Sequence, residues 1–136
     1  MTISGGCYCG AVRYEAQGEP LMRGLCHCRE CQYITGGGAN VAMAVPAPGF
    51  SYSKGSPRAF ARDDLDSPVT REFCADCGTH LVSRPPALPD MVILKAGTLD
   101  DPAVYGAPEM AFYCCEKQPY HYLPDGLPTF ERFPGE

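Results

Sequence analysis

Hydrophobic and polar residues alternate over short distances along the chain, and no long segment repeats apolar residues at helical spacing. Four segments have the alternation and composition typical of β-strands, with Gly, Pro or Asp residues nearby. They are 10–16 (GAVRYEA), 40–45 (NVAMAV), 91–97 (MVILKAG) and 110–115 (MAFYCC). Alternation of the kind seen in AVRYEA is typical of an antiparallel sheet with one solvated face. The pattern predicts a mostly β fold of short antiparallel strands.

Helical segments are expected to be short, because 14 prolines and 15 glycines are spread over the 136 residues and an interior proline costs a helix ~3 kcal/mol. One helical turn is predicted at 29–35 (RECQYIT). Turns or loops are predicted at 46–50, 84–90 and 123–128. Neither a repeat outside the cysteine clusters nor a long linker interrupts the sequence, so we expect one domain spanning 1–136.

The charge pattern bears on the class of partner. The formal net charge is −5, and the 11 Lys and Arg residues are scattered, whereas proteins that neutralise phosphates carry a basic stripe. The first ten residues lack the basic and apolar regions of a signal peptide, and no apolar run reaches the ~18 residues of a membrane span. We therefore expect a cytoplasmic protein whose partner is a small molecule, and neither nucleic acid nor a membrane.

Cysteine changes this picture, because the chain contains nine cysteines, an odd number that cannot pair completely in disulfides. In a reducing compartment, clustered cysteines more often bind metals or perform chemistry. The spacing of seven of them predicts two metal sites.

The first predicted site combines two close pairs, Cys7-x-Cys9 and Cys74-x-x-Cys77, each followed by a glycine. Residues i and i+2 of an extended strand face the same side. The C-x-x-C segment curls around one ion, and the following glycine supplies the positive φ that such a curl often needs. Four thiolates with Zn–S distances near ~2.3 Å complete a tetrahedral shell, so this zinc would be structural. The alternative is that these are reduced cysteines packed as small apolar residues.

The second predicted site is the C-x-C-x-x-C set Cys26, Cys28 and Cys31. Cys26 and Cys28 share a face if the chain is extended, and Cys31 returns to them if a helical turn begins after Cys28. His27 would point away. Three thiolates with one open position are the arrangement of a catalytic or ligand-binding zinc, so the missing ligand would be the substrate.

A distant fourth ligand would instead close this site and make it structural. The candidates are His80, His121, Cys114 and Cys115. Because Cys114 and Cys115 are neighbours in a strand-like run, at most one could reach a given metal. The role predicted for them is core filling, with a free thiol on one side.

The glycines at 36–38 follow the three-cysteine segment directly. Successive amides in such a loop can form an anion-binding nest. A plain flexible turn explains the same residues, and the sequence leaves both alternatives open.

Three motifs appear in a fixed order along the chain: G-x-C-x-C-G at 5–10, C-H-C-x-x-C at 26–31 and F-C-x-x-C-G-T at 73–79. Together with 98–102 (TLDDP) and 123–128 (LPDGLP), this series resembles the glutathione-dependent formaldehyde-activating enzyme family, which also includes centromere protein V. The resemblance covers essentially the whole chain.

The resemblance implies a β-tent fold, in which two antiparallel sheets meet around zinc sites. It implies that Cys7, Cys9, Cys74 and Cys77 bind a structural zinc and that Cys26, Cys28 and Cys31 bind a catalytic zinc. It further implies a carbon–sulfur lyase that joins glutathione and formaldehyde reversibly into S-(hydroxymethyl)glutathione.

Two functions remain after these arguments. In the first, two zinc ions per chain serve a carbon–sulfur lyase that acts on a thiol adduct such as a glutathione conjugate, with His27, Tyr33 and His80 as acid–base candidates. In the second, the chain is a non-enzymatic zinc module that binds a protein or a small thiol. If a fourth protein ligand completes the second metal site, the non-enzymatic zinc module is favoured.

Overall fold

The computed structural model describes residues 1–135, and Glu136, the last residue of the predicted domain, lies outside them. Ten strands are formed: β1 Thr2–Gly6, β2 Arg13–Gln17, β3 Met22–Cys26, β4 Asn40–Pro46, β5 Phe50–Lys54, β6 Arg58–Phe60, β7 Thr70–Phe73, β8 His80–Arg84, β9 Met91–Lys95 and β10 Met110–Phe112. The α-helix is α1, Arg29–Thr35, and 3-10 turns lie at Ala47–Gly49, Ala96–Thr98, Pro102–Tyr105 and Cys114–Glu116. No helix within 1–135 is long and apolar enough to cross a membrane.

The strands form two sheets, which confirms the predicted mostly β fold. The smaller has the order β1-β2-β5 and the larger the order β10-β3-β4-β9-β8-β7-β6. The paired strands run antiparallel apart from β10, which pairs with β3 in parallel. The prediction of antiparallel sheets is therefore wrong for this pair. A parallel pair requires a long crossover connection, and the chain between β3 and β10 provides one.

The two faces of the large sheet differ in character because side chains alternate along each strand. One face packs with the small sheet into the main core, which includes Met43, Val45 and Leu94 together with Tyr14. The opposite face carries the small apolar cluster of Ala42, Ala44 and Ile93. Since Cys26 pairs with Asn40, and Ala42 with Lys95, Cys26 and Lys95 lie on this second face.

The predicted helices, strands and turns match the structure where the local composition is distinctive. The predicted helix at 29–35 is confirmed, and β2, β4, β9 and β10 overlap the four predicted strand segments, with β2 and β4 each extending one residue beyond them. Segments 84–90 and 123–128 are almost wholly turns or loops, as predicted, while 46–50 contains a 3-10 turn between two strands.

The strand prediction for 110–115 is wrong beyond Phe112. Tyr113 adopts a left-handed backbone conformation with φ 55, which ends the strand, and the vicinal cysteines begin a 3-10 turn. Cys114 is half-buried and Cys115 is exposed. The prediction that this pair fills the core is therefore wrong.

Candidate metal centres

The four-cysteine set brings together the two cysteine pairs predicted to share a metal, although the extended strand predicted for Cys7 and Cys9 is wrong because both lie in a turn. Cys7 and Cys9 lie between β1 and β2, and Cys74 and Cys77 lie between β7 and β8. All four Sγ atoms are within 4.8 Å of one another. The Cys7–Cys9 sulfur distance is 3.6 Å and the Cys9–Cys74 distance is 3.8 Å. The described chain therefore holds a four-sulfur set that can bind a metal ion.

Backbone geometry after each pair explains this convergence. Gly10 and Gly78 have φ values of 81 and 78, in the left-handed region that glycine adopts without steric cost. The N–H of Gly78 donates to the carbonyl of Cys74 at 2.8 Å, and the N–H of Gly10 donates to that of Cys7 at 3.1 Å. The positive φ predicted for Gly78 is confirmed, and Gly10, for which none was predicted, adopts the same conformation.

Hydrogen bonds prepare this set for anionic sulfur. The side chain of Thr79 lies 3.2 Å from Cys77 Sγ, and this contact is the main reason that the pKa of Cys77 is lowered to about 6. The N–H of Val12 donates to Cys7 Sγ at 3.3 Å. Metal ligation requires thiolates, and these donors stabilise them.

The three-cysteine set is assembled from one short segment. Cys26 ends β3, Cys28 is the N-cap of α1, and Cys31 lies in its first turn. The three sulfurs are within 4.8 Å of one another. The N–H of Cys31 donates to Cys28 Sγ at 3.3 Å, so the helix cap itself orients one potential ligand. The neighbouring sulfurs of Cys26 and Cys31 lower the pKa of Cys28.

No His, Cys, Asp or Glu elsewhere in residues 1–135 joins this trio as a fourth ligand. Within the described chain, the distant candidates His80, His121, Cys114 and Cys115 are therefore not grouped with the trio. Both ring nitrogens of His121 are engaged, because Nδ1 accepts from the N–H of Gln118 at 2.9 Å and Nε2 lies 2.6 Å from the carbonyl of Gly37. His27 is buried against the ring of His121, with centroids 5.1 Å apart.

The glycine run ends α1. Gly36 is the C-cap with φ 80, and its N–H donates to the carbonyl of Gln32. The N–H of Gly37 donates to the same carbonyl at 2.7 Å. Because both amides terminate the helix, the structure supports the turn and does not present these amides as an anion nest.

Sequence analysis missed a group of charged and polar side chains on the trio's face of the sheet. Lys95 is only 9% exposed, and its Nζ donates to Ser83 Oγ at 2.8 Å. Arg71 donates to the same hydroxyl at 3.2 Å and forms an ion pair with Glu30 at 2.6 Å. Desolvation lowers the pKa of Lys95 to about 8, although the negative charge of Cys31 acts in the opposite direction.

A cleft borders the helix that carries Cys31. It has a volume of about 580 Å³ and lies between α1 and strands β6–β8, with Glu30, Tyr33 and His80 among its lining residues. Glu30 precedes Cys31 directly in α1, but the three cysteines are not among the residues that line the cleft. A second cavity, of about 330 Å³, is lined by His80 and Lys95.

The three acid–base candidates are placed differently around this cleft. Tyr33 is 79% exposed at its edge. His80 lines both cavities, its buried Nδ1 has no hydrogen-bond partner among residues 1–135, and desolvation lowers its pKa. His27 lines neither cavity. The structure therefore brings His80 and Tyr33, but not His27, to the cleft.

The donor sets define a class of protein. All nine cysteines are free thiols, and seven of them converge in two sets whose sulfur-only donors suit zinc and other thiophilic metals. The molecule is thus a cysteine-rich β protein with one four-sulfur and one three-sulfur set, each able to hold a metal ion.

Comparison with known proteins identifies the family. The family model described as "Glutathione-dependent formaldehyde-activating enzyme" matches residues 2–116, and the chain belongs to this family. A Halomonas elongata protein named "Putative glutathione-dependent formaldehyde-activating enzyme" is 30% identical over 107 residues, covering 74% of this chain and 67% of that protein. A crystal structure of a Rhodobacter sphaeroides protein superposes with a TM-score of 0.61 at 19% identity, covering 77% of this chain and 96% of the other, which shows the shared fold.

Proposed function

We propose that this protein is a zinc-dependent carbon–sulfur lyase that acts on a thiol adduct, with S-(hydroxymethyl)glutathione or a related glutathione conjugate as its substrate. The observation that carries the proposal is the three-cysteine set, which no fourth ligand within residues 1–135 joins and whose helix α1 borders a cleft. Family membership supports the choice of glutathione and formaldehyde.

The two sulfur sets would have different roles. Cys7, Cys9, Cys74 and Cys77 would hold a structural zinc, because four thiolates complete its shell. Cys26, Cys28 and Cys31 would hold the catalytic zinc. Zinc at the second set would supply one effect, a lowered pKa for a thiol that occupies its open position.

The reaction requires a sulfur–carbon bond and one proton transfer. In the forward direction, glutathione sulfur bonds to the carbonyl carbon of formaldehyde, and the proton lost from the thiol ends on the carbonyl oxygen. In reverse, the carbon–sulfur bond breaks and the hydroxyl proton returns to sulfur. His80 lines the cleft, and its lowered pKa keeps the imidazole neutral near pH 7. It is therefore the proposed acid–base group, since a neutral imidazole can accept a proton.

The test must separate catalysis from the spontaneous addition of thiols to formaldehyde. Exchange between formaldehyde and its glutathione adduct is followed by NMR, at equilibrium, with increasing amounts of zinc-loaded protein. We expect the exchange rate to rise in proportion to protein concentration. Replacing Cys28 by Ser should reduce this catalysed rate by ~10²-fold or more, because the metal centre loses a ligand.

Cys115→Ser is the matched control, because Cys115 is exposed and belongs to neither sulfur set. It should retain the wild-type rate, and metal analysis should give two zinc ions per chain for wild type and one for Cys28→Ser. If the zinc-loaded wild type leaves exchange at the spontaneous rate, the lyase proposal is wrong and a thiol-binding zinc module replaces it.

A further inference from the structure

Lys95 is a buried cation without a carboxylate partner in the described chain. The ion pairs found within residues 1–135 are Arg13–Asp100, Arg62–Asp64, Arg71–Glu30 and Arg84–Glu72. Lys95 belongs to none of them, and its hydrogen bond goes to a neutral hydroxyl, that of Ser83. A buried charge is costly unless it is paired. The anion that compensates this ammonium is therefore not one of the carboxylates in residues 1–135.

The neighbouring cation makes this requirement stronger. Arg71 donates to the same Ser83 hydroxyl as Lys95, at 3.2 Å and 2.8 Å respectively. Two like charges on one acceptor repel each other. Glu30 compensates Arg71, so the uncompensated charge of the pair is that of Lys95.

Strand register shows where the compensating anion lies. Lys95 in β9 is opposite Ala42 in β4, and two residues before Ala42, Asn40 is opposite Cys26 in β3. Residues i and i+2 share a face, so Lys95 and Cys26 lie on the same face, with the short side chain of Ala42 between their strands. The charges of Cys26, Cys28 and Cys31 all act on the Lys95 ammonium.

We propose that Lys95 is the counter-ion of the three-cysteine metal centre. A divalent ion held by three thiolates has a net charge of −1, and one ammonium on the same face brings the buried assembly to neutrality. The inference rests on the proposed function only in that this set binds a divalent metal.

The four-cysteine set provides a contrast. With a divalent ion it would carry a net charge of −2, yet its sulfur Cys9 is exposed, so water can screen the charge. In the trio Cys26 and Cys31 are buried and Cys28 is half-buried, so water screens its charge less than that of a set with an exposed sulfur. A dedicated counter-ion is therefore needed at the trio and not at the four-cysteine set.

The test compares Lys95→Met, Lys95→Arg and wild type, with Lys54→Met as the matched control because Lys54 is exposed. Zinc affinity at each site is measured by competition with a chromophoric chelator. The three-cysteine set should be the weaker site because it offers three ligands and the other set offers four. We expect Lys95→Met to weaken binding at the weaker site by ~10-fold or more, without changing the tighter one. Lys95→Arg should restore most of the affinity because it keeps the charge, and Lys54→Met should equal wild type.

A second readout separates a counter-ion from a merely structural lysine. With the weaker site empty, Lys95→Met should have a melting temperature equal to or above that of wild type, because the substitution removes an unpaired buried charge. With that site loaded, its stabilisation by zinc should be smaller than in wild type. A lysine needed for packing would lower the melting temperature in both states, and that result would overturn the proposal.

Thiol probes distinguish the remaining alternative, in which Lys95 anchors a ligand carboxylate through the cavity that it lines. Glutathione carries carboxylates and 2-mercaptoethanol does not. If Lys95→Met weakens the binding of glutathione alone and leaves zinc affinity unchanged, Lys95 is a ligand anchor and the counter-ion proposal is wrong. The two proposals can fail separately. If wild-type protein binds zinc at both sites but does not accelerate formaldehyde exchange, the lyase proposal is wrong and the proposed role of Lys95 is unaffected.

Discussion

His80 illustrates how one side chain connects burial with acid–base chemistry. It begins β8, packs against Phe73 with ring centroids 5.5 Å apart, and has a buried Nδ1 that no group in the described part of the chain hydrogen-bonds. Desolvation lowers its pKa from 6.5, and the charges of Lys95 and Arg71 add to the effect. The folded protein therefore resists protonation of this imidazole more than the unfolded chain does.

The first prediction concerns this titration. Because the folded-state pKa is below 6.5, the stability that neutral His80 contributes is complete above that pH and is lost as the pH falls through the folded-state value. NMR titration of the ring should give a pKa below 6.5, with His80→Gln used to assign the resonance. A pKa at or above that value would contradict the burial argument.

The limits of sequence reasoning are also visible at single residues. Metal ligation imposes a characteristic spacing on cysteines, and this spacing identifies Cys26, Cys28 and Cys31 in the sequence. Lys95 was missed because a lysine that ends an apolar run (MVILK) resembles an ordinary solvated strand end. Its burial follows from the register between β9 and β4, which involves residues more than fifty positions apart and leaves no local pattern.

At the scale of elements, α1 is defined by its two caps. It has seven residues, shorter than an isolated helix needs to be stable, so its ends matter more than its propensity. Cys28 accepts from the N–H of Cys31 at one end, and Gly36 adopts φ 80 at the other. The same helix carries Cys31, and its geometry therefore decides where that sulfur lies.

We predict that Gly36→Ala destabilises the protein by about 1 kcal/mol, because a Cβ is strained in the left-handed conformation. Gly97→Ala is the matched control, since Gly97 also has open space around an added Cβ but no positive φ. Denaturant unfolding followed by circular dichroism measures both. Equal effects of the two substitutions would refute the assigned cap.

Elements whose own residues favour their conformation were predicted from the sequence. Elements that form because a neighbouring strand pairs with them were not. The helix at 29–35 and strands β2, β4 and β9 have recognisable composition. Strands such as β1 (TISGG), β6 (RAF) and β7 (TREF) contain glycine or charged residues, and they are strands because a neighbour supplies their hydrogen bonds. Tertiary pairing overrides propensity in such segments.

At the scale of the molecule, the four-cysteine set joins the two sheets. Cys7 and Cys9 connect strands of the small sheet, whereas Cys74 and Cys77 connect strands of the large one. Cys9 and Cys74 are 65 positions apart. A metal that holds both turns closes a long loop of the unfolded chain, and closure of this kind stabilises the folded state.

We predict that Cys9→Ser lowers the free energy of unfolding of the zinc-loaded protein by about 2 kcal/mol or more, because it breaks the connection between the sheets. Cys115→Ser, at another exposed cysteine, should change it by less than ~0.5 kcal/mol. Calorimetry and zinc analysis together measure both effects. If Cys9→Ser melts like Cys115→Ser, the set does not join the sheets.

The three-cysteine set, in contrast, is contained within six consecutive residues, Cys26 to Cys31. In an evolving lineage, a substitution in this hexapeptide removes the reactive centre and spares the scaffold, whereas altering the other set puts the scaffold itself at risk. Descendants of one ancestor can therefore share this architecture and differ in chemistry. Conservation of the hexapeptide is consequently the better guide to which of them are still enzymes.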